Sequence, residues 1–253
     1  MINDFFLERI KENFPFEPTP DEAEVLGKIV DLLVIRDEET LFLLKGYAGT
    51  GTSSLLGALV KTMTAFKQKT VLLAPTGRAA KVFASYAGHP AFTIHKKIYR
   101  QKRFSDDVGG FSLIDNLHKD TLFIVDEASM ISNDGVDSSI FGTGRLLDYL
   151  IHYVYSGENC RMLLIGDTAQ LPPVMQEESP ALQEIVLEGY GLKVTSSTMT
   201  QIVRQAEGSG VLYNATNIRK ALSAGTTEAY PKLKLDGFDD VRKITGEDLI
   251  DEI

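Results

Sequence analysis

The sequence predicts an α/β fold in which a parallel sheet carries helices on both of its faces. Short apolar runs alternate with helix-compatible segments along most of the chain, and a polar or glycine- and proline-containing turn follows each run. Strands that alternate with helices form βαβ units, whose right-handed crossovers make the strands parallel. The predicted strands are residues 40–44, 70–74, 121–125 and 161–165.

The first helix is predicted to begin at Pro20, because proline is favoured at the first helical position. Thr19 precedes it as the N-cap, and Glu22 follows at the spacing of a capping box. Residues 40–44 then form a nearly continuous apolar run, as expected of a parallel strand that is buried on both faces. Within the predicted helix, the apolar residues recur at helical spacing, at Leu26, Ile29, Val30 and Leu33.

The composition of the 253 residues, 43% hydrophobic and 24% charged, is that of a globular protein and excludes a disordered or collagen-like chain. With 26 Lys and Arg against 35 Asp and Glu, the net charge is −9, which argues against binding nucleic acid through bulk positive charge. A local basic groove remains compatible with it. The only cysteine, Cys160, excludes a disulfide within the chain. No run of about 18 apolar residues occurs, so we expect a cytoplasmic protein that does not bind a membrane.

Residues 96–117 interrupt the alternation and are predicted to form an inserted hairpin or loop. Asp107-Val-Gly-Gly110 supplies turn residues between Phe104 and Phe111. This region also holds the densest positive charge of the chain, which suits guidance of a nucleic-acid strand by charge and stacking. A solvated helix face is the alternative. The basic residues are Lys96, Lys97, Arg100, Lys102 and Arg103.

The segment from Gly46 to Ser54 has the G-x-x-x-x-G frame of a phosphate-binding loop. It follows a predicted strand and opens a predicted helix, which is the context that such a loop requires. Glycines let backbone N–H groups wrap around phosphates at a helix N-terminus. An ordinary glycine-rich turn is the alternative. The predicted nucleotide-binding residues of this loop are Gly46, Ala48, Gly49, Thr50, Gly51, Thr52, Ser53 and Ser54.

The loop departs from the usual pattern at Thr52, where a phosphate-binding loop has lysine. That lysine normally supplies a positive charge between the β- and γ-phosphates. Without it we expect nucleotide binding to weaken by roughly 1.5–3 kcal/mol and hydrolysis to slow by on the order of 10²–10³. Lys45 is adjacent in sequence, but it lies at the end of the strand before the loop, which makes it a poor substitute.

Two adjacent acidic residues, Asp126 and Glu127, end the third predicted strand. Combined with a phosphate-binding loop, this pair predicts that Asp126 holds Mg²⁺ through water and that Glu127 deprotonates the attacking water. A solvated acidic turn is the alternative. We therefore expect a site for Mg²⁺ and ATP at the carboxyl ends of the strands, where ligands bind in parallel sheets.

Polar motifs follow the predicted strands in a fixed order along the chain. Three of them are Gly46-Tyr-Ala-Gly-Thr-Gly51, Val125-Asp-Glu-Ala-Ser-Met130 and Gly166-Asp-Thr-Ala-Gln-Leu-Pro-Pro173. Together they resemble the superfamily 1 DNA helicases of the RecD-like group, which move 5′ to 3′ on single-stranded DNA. Leu72–Ala80, Phe92–His95 and Met199–Gln205 are similar to motif Ia, the next DNA-contacting motif and motif IV of that family. The resemblance covers roughly residues 15–220 and implies a RecA-like P-loop NTPase fold.

The resemblance implies catalytic and metal-binding roles for particular residues. Ser53 and Asp126 would serve Mg²⁺, for which a hydroxyl and a carboxylate are suitable hard oxygen partners. Glu127 would be the base, and Gln170 would sense the γ-phosphate. Arg204 would be an arginine finger, because a guanidinium neutralises charge spread over phosphate oxygens. A surface arginine is the alternative for Arg204.

Glu22 stands where the family usually has a glutamine that pairs with the adenine edge. A carboxylate can accept from the adenine amine but cannot donate to the ring nitrogen unless it is protonated. A role for Glu22 in the capping box alone is the alternative, so the nucleotide preference is left open.

Further residues of the resemblance would line the path of single-stranded DNA. Small hydroxyls and backbone N–H groups position phosphates without reading sequence. His95 has a structural alternative as a packed histidine. These predicted DNA-binding residues are Pro75, Thr76, Arg78, Thr93, His95, Lys96 and Lys97.

The chain is predicted to hold one motor domain at residues 1–197 and the incomplete beginning of a second at 198–253. The later motifs of the family have no counterpart before Ile253. The predicted function is an ATP-dependent DNA helicase or translocase, impaired by Thr52. A non-hydrolysing nucleotide- or DNA-binding module derived from a helicase is the alternative, which Thr52 favours. A P-loop NTPase of another class is disfavoured by Gly166–Pro173.

Overall fold

The structure is a computed structural model that describes residues 2–34, 39–101, 111–133, 145–201, 208–225 and 231–245. The chain divides into two units. The first contains Met1–Tyr47 and Gly51–Gln201, and the second contains Ala48–Thr50 and Ile202–Ile253. The predicted arginine finger, Arg204, lies outside the described residues.

Strands and helices alternate along the first unit, and each of the four predicted strands is present, extended by at most two residues. The strands are β1 (Thr40–Gly46), β2 (Lys69–Ala74), β3 (Ala91–Thr93), β4 (Tyr99–Gln101), β5 (Phe111–Leu113), β6 (Thr121–Val125), β7 (Arg161–Gly166) and β8 (Lys193–Met199). The helices are α1 (Ile2–Glu12), α2 (Pro20–Val34), α3 (Thr52–Ala65), α4 (Gly77–Ala87), α5 (Ile94–Ile98), α6 (Leu146–Tyr155) and α7 (Glu184–Glu188), with 3₁₀ turns at Ala128–Met130 and Pro180–Leu182. Across the described ranges, no helix has both the length and the apolar character needed to cross a membrane.

Six of the described strands form one sheet in the order β3-β2-β6-β7-β1-β8, and every neighbouring pair is parallel. This confirms the predicted α/β fold with a parallel sheet. β7 lies between β6 and β1, with Leu163 opposite both Ile124 and Phe42. The carboxyl ends of these three strands are therefore adjacent, so the polar residues that follow them meet at one edge of the sheet.

The alternation of side chains along the strands divides the interior into two hydrophobic cores. Leu41 and Leu43 of β1 belong to one core, which α5, α6 and α7 cover. Phe42 and Leu44 belong to the other, which α1 to α4 cover. Helices therefore lie on both faces of the sheet, as the sequence predicts.

The sequence pattern does not predict helix α1 or the edge strands β3 and β8. β8 reads Lys-Val-Thr-Ser-Ser-Thr-Met, and only its last residue, Met199, is fully buried. Among the strands that the structure describes, it pairs with β1 alone. An edge strand can be exposed along much of its length, so the search for continuous apolar runs, which finds the central strands, does not find this one.

Helix α2 is held at both ends by side chains. The Thr19 N–H donates to Glu22 Oε2 at 2.7 Å and the Glu22 N–H donates to Thr19 Oγ1 at 3.3 Å, which confirms the predicted capping box. At the other end, Arg161 of β7 donates from Nη1 to the carbonyls of Leu32 at 3.0 Å and Leu33 at 2.8 Å. Carbonyls of a last helical turn have no intrahelical partner, so Arg161 joins the end of α2 to the sheet.

Arg161→Met is expected to lower the free energy of unfolding by about 2–3 kcal/mol, because it removes a charged donor from two helix-end carbonyls. Methionine keeps the length of a side chain that is only 8% exposed. Urea unfolding followed by circular dichroism measures the change. Arg145→Met is the control, since it removes an ion pair between the exposed Arg145 and the partly buried Asp148, worth about 1 kcal/mol. Equal unfolding midpoints for the two variants would contradict the role assigned to Arg161.

The predicted inserted region begins with a helix, so its first basic residues lie on a helix, as in the alternative of a helix face, and the hairpin follows only after residue 98. Lys96 and Lys97 lie on α5. The hairpin itself is the antiparallel pair β4 and β5, in which Arg100 is opposite Ser112. The residues between these strands, 102–110, lie outside the described residues.

In the second unit, helix α8 (Gly210–Ser223) is held at its N-terminus by Asp240. The Asp240 carboxylate accepts from Ser209 Oγ at 2.5 Å and from the Gly210 N–H at 2.7 Å, and these bonds lower the Asp240 pKa. An anionic side chain at this position also complements the helix dipole. The predicted domain boundary at residue 197 stays a prediction, and β8 of the first unit continues to Met199.

Candidate functional site

The loop between β1 and α3 presents the start of a helix to the edge of the sheet. Gly49 and Gly51 have φ angles of 80° and 88°, a left-handed conformation that glycine adopts without a Cβ clash. Gly51 is the N-cap of α3 and has no side chain with which to cap the first turn. First-turn N–H groups lack intrahelical partners, so with the helix dipole they suit an anion such as a phosphate. The loop has the strand–loop–helix arrangement that the sequence predicts for residues 46–54.

The position at which lysine is usual in such a loop carries the short hydroxyl side chain of Thr52, at the start of α3. Lys45 does not take its place. Lys45 lies two residues after Leu43 in β1 and so faces the same side of the sheet, whereas α3 packs on the opposite side. The Lys45 Nζ lies 4.0 Å from Glu184 Oε1 of α7. Lys45 is thus the poor substitute that the sequence predicts.

Asp126 follows β6, and its carboxylate is held at both oxygens. Oδ1 accepts from the Glu127 N–H at 2.9 Å, and Oδ2 accepts from the Tyr86 hydroxyl at 2.5 Å. Burial raises the pKa of Asp126, while the two hydrogen bonds act in the opposite direction. Burial and the adjacent Asp126 also raise the pKa of Tyr86. The hydroxyl is therefore the proton donor of this pair at neutral pH.

Glu127 lies beside Asp126 in an unusual backbone conformation. Its φ of 57° is left-handed, which costs a non-glycine residue about 1–2 kcal/mol. Burial and then Asp126 raise the pKa of Glu127, and Asp167 adds to the effect, whereas a hydrogen bond with Gln170 lowers it. The Gln170 Oε1 accepts from Ser129 Oγ at 3.3 Å, which leaves the Gln170 amide group to donate to Glu127. The structure thus brings together two of the predicted catalytic residues.

The donor set at this edge fits a magnesium ion. Burial disfavours the charged forms of Asp126 and Glu127, and no lysine or arginine in the described ranges forms an ion pair with either. A divalent cation would supply the missing charge, and oxygen donors such as those of Asp126 and Ser53 are the type that Mg²⁺ prefers. Ser53 and Tyr86 line one cavity of about 550 Å³, and Tyr86 contacts Asp126. Tyr86 therefore contacts one of the two predicted Mg²⁺ residues, Asp126, and lines a cavity together with the other, Ser53.

Glu22 is buried, with 4% of its surface exposed, and its carboxylate serves the capping box of α2. Its neighbour Asp21 accepts from the N–H groups of Thr200 and Gln201, both at 3.2 Å, directly after β8. Asp21 thereby fixes the backbone of Thr200 and Gln201 at the end of the first unit. Glu22 has a clear structural role, and its contact with adenine stays a prediction.

The predicted DNA-binding residues lie at the carboxyl ends of the neighbouring strands β2 and β3. Thr76 is the N-cap of α4 and accepts from the Ala79 N–H at 3.2 Å. Thr93 is the N-cap of α5 and accepts from the Lys96 N–H at 3.2 Å. Both hydroxyls therefore have structural roles, and Pro75, which is half-buried, joins β2 to the first cap.

Positive charge lies close to these two caps. Arg78 is exposed in the first turn of α4. The Nζ atoms of Lys96 and Lys97 lie 5.7 Å and 6.0 Å from the centroid of the partly exposed Phe92 ring. Burial lowers the pKa of His95, so its ring is neutral at pH 7. The geometry gathers the predicted DNA-binding set at one edge, and their contact with DNA stays a prediction.

Tyr86 is a site residue that the sequence pattern does not reveal. It lies in the last turn of α4 between Phe83 and Ala87, which are buried in the core. Helical periodicity therefore marks it as part of a packing face. Only the fold shows that this turn of α4 lies next to Asp126 at the end of β6.

Comparison with known proteins gives a family and a relative. The AAA domain family matches residues 32–238. The ATP-dependent RecD2 DNA helicase of Deinococcus radiodurans is 33% identical over 176 residues, which are 69% of this chain and 21% of that protein. The chain thus spans about a fifth of the length of this curated relative.

Two solved helicase structures also match. The Pif1 helicase from Bacteroides, in complex with ADP-AlF3 and ssDNA, has a TM-score of 0.46 at 20% identity, over 85% of this chain and 48% of that one. The Pif1 helicase from Candida albicans has a TM-score of 0.47 at 20% identity, over 83% and 45%. The family match spans the phosphate-binding loop, the acidic pair and Gln170. The chain belongs to the AAA domain family, as a P-loop ATPase of the RecD-like superfamily 1 helicase type.

Proposed function

We propose that this chain is the ATPase motor of a DNA helicase or translocase that acts on single-stranded DNA. The observation that carries the proposal is the meeting of Asp126, Glu127 and Gln170 at one edge of the sheet. The phosphate-binding loop opens α3 at the end of β1, at the same edge. The name of the Deinococcus relative, an ATP-dependent DNA helicase, supports the same activity. A cytoplasmic location belongs to the same proposal.

In the proposed mechanism, the first-turn N–H groups of α3 bind the phosphates of ATP. Ser53 and Asp126 would hold Mg²⁺, which would neutralise phosphate charge and align the transferred group. Glu127 accepts a proton from the attacking water, and its raised pKa makes it a better base than a solvated glutamate. Gln170 donates to Glu127 and connects the base to the segment after β7. Arg204 would add positive charge at the γ-phosphate.

The DNA-binding half of the proposal uses the carboxyl edge of β2 and β3. The N-termini of α4 and α5 begin there, at Thr76 and Thr93. Arg78, Lys96 and Lys97 supply positive charge in a chain whose net charge is −9. Contacts of this kind bind the phosphate backbone of any sequence and weaken as salt rises.

Thr52 favours a second candidate, a helicase-derived module that binds nucleotide or DNA without hydrolysing ATP. The other site residues argue for the motor, because Asp126, Glu127 and Gln170 retain both their identities and their mutual contacts. We therefore propose that hydrolysis is impaired at one position in a site that is otherwise intact.

Steady-state ATP hydrolysis, measured without DNA, with single-stranded DNA and with duplex DNA of the same length, tests the proposal. The motor is expected to hydrolyse slowly and to be stimulated by the single strand more than by the duplex. Fluorescence anisotropy of a labelled single strand, with and without ADP, follows binding separately from turnover. A chain that binds DNA or nucleotide but shows no DNA-stimulated hydrolysis, even as Thr52→Lys, is the binding module instead.

A further inference from the structure

Tyr86 is fixed by contacts that do not depend on the end of β6. Its ring stacks on Phe83 of the same helix, with centroids 5.2 Å apart and an angle of 29° between the rings. Phe83 is fully buried. Helix α3 packs closely against this turn, since a Cβ at Gly57 would lie 3.1 Å from the Tyr86 carbonyl oxygen. Tyr86 therefore occupies a position set by α3 and α4 together.

From this position the Tyr86 hydroxyl reaches Asp126 and completes the fixation of its carboxylate. The hydroxyl donates to Oδ2 at 2.5 Å, and the Glu127 N–H donates to Oδ1 at 2.9 Å. One donor on each oxygen prevents rotation of the carboxylate plane. A carboxylate offers about four acceptor positions, so each oxygen keeps one for a further donor or ligand.

Tyr86 also borders the side of α3 that carries the other candidate metal residue. Ser53, Ser54 and Tyr86 line the same cavity of about 550 Å³. Ser53 comes from the phosphate-binding loop and Asp126 from β6, so two separate elements must supply the metal site. Tyr86 is the described side chain that contacts one of these residues and shares a cavity with the other.

We propose that Tyr86 is a positioning residue of the magnesium site, which holds the Asp126 carboxylate in the orientation that a bound Mg²⁺ and its water require. The inference rests on the proposed nucleotide site and deepens it. Groups that orient a metal-binding side chain commonly change metal affinity by about 10–100-fold when they are removed.

Tyr86→Phe tests the inference, because phenylalanine keeps the ring on Phe83 and removes only the hydroxyl. Isothermal titration calorimetry of ADP, with Mg²⁺ at increasing concentration and in EDTA, separates metal from nucleotide. The half-saturating concentration of Mg²⁺ is expected to rise by about 10-fold. The affinity for ADP in EDTA is expected to stay unchanged, which a merely destabilised protein would not show.

Tyr155→Phe is the matched control, since the Tyr155 hydroxyl donates to the Thr40 carbonyl at 2.8 Å, at the opposite end of β1. It loses the hydrogen bond to Thr40 and is expected to keep the native dependence on Mg²⁺. Tyr86→Phe and Tyr155→Phe are each made in the native chain and in the Thr52→Lys chain. The second background is expected to bind nucleotide more tightly, which keeps the affinity measurable. A half-saturating concentration of Mg²⁺ that is unchanged in Tyr86→Phe would overturn the inference. A lower concentration would also overturn it, because the hydroxyl would then compete with the metal for Asp126.

The outcome also separates this inference from the proposed function. If neither the native chain nor Thr52→Lys binds ADP with or without Mg²⁺, the proposed nucleotide site is wrong and the role of Tyr86 is overturned with it. If both bind Mg²⁺ and ADP and Tyr86→Phe behaves as the native chain does, only the role of Tyr86 is wrong.

Discussion

Thr52→Lys is expected to raise the rate of ATP hydrolysis by about 10²-fold or more. The lysine would enter from the first turn of α3, where backbone N–H groups already suit a phosphate. Its ammonium group would lie between the β- and γ-phosphates and neutralise charge that develops as the terminal phosphoryl group departs. The same charge is expected to tighten ATP binding by roughly 1.5–3 kcal/mol, which corresponds to about 10–100-fold in the dissociation constant. Phosphate release and calorimetry measure the two effects.

Two further variants establish the cause of such a gain. Thr52→Gln supplies a longer side chain without a charge and is expected to hydrolyse ATP no faster than the native chain. Thr52→Lys combined with Glu127→Gln is expected to lose the gain, which would show that turnover comes from this site. If Thr52→Lys and Thr52→Gln hydrolyse ATP equally slowly, a missing positive charge is not what limits the native chain.

The parts of the fold that the sequence predicts are those in which burial leaves a continuous pattern. β1, β2, β6 and β7 are central strands with both faces covered, so their apolar runs are unbroken. β8 lies at the edge of the sheet and carries Thr-Ser-Ser-Thr where the central strands carry leucine and isoleucine. Its place in the sheet follows from pairing with β1, which is a tertiary contact that no local pattern records.

The candidate site divides in the same way. The loop, Asp126, Glu127 and Gln170 are predictable because each follows a recognisable strand, and parallel strands bring such residues to one edge. Tyr86 is not predictable, because its hydroxyl meets Asp126 only through the packing of α4 against α3. The helical position of Lys96 and Lys97 is likewise hidden, since α5 has only five residues and little room for periodicity.

Glu127→Gln is expected to slow hydrolysis by about 10²–10⁴-fold, the contribution of a positioned general base. The measurement is made with Thr52→Lys as the parent, because its rate leaves room for a decrease. Glutamine keeps the length of the side chain, and it adopts the φ of 57° at the same cost as glutamate. Binding of ADP and Mg²⁺ is expected to persist, because Asp126 and Ser53 are unchanged.

The same substitution is expected to raise the free energy of unfolding at neutral pH. Substitution of a residue with a purely structural role would instead lower it. The Glu127 pKa is raised in the folded protein by burial and by Asp126. A carboxyl group with a raised folded pKa contributes stability below its unfolded pKa, and that contribution is lost as the pH rises through the folded value. The native chain therefore holds an unfavourable charge above that pH, and glutamine removes it.

Urea unfolding of the native chain and Glu127→Gln across pH 4–8 tests this sign. The variant is expected to be the more stable of the two near pH 8, and the difference is expected to shrink as the pH falls and Glu127 becomes protonated. Glu158→Gln is the control, because Glu158 is an exposed partner of Lys119 and its loss should not stabilise the protein. A variant that loses both activity and stability at pH 8 would mean that Glu127 supports the fold, and the base would have to be sought elsewhere. If the variant loses activity but gains stability, the ionised Glu127 carboxylate lowers the free energy of unfolding of the native chain, and its role lies in the chemistry at this edge of the sheet.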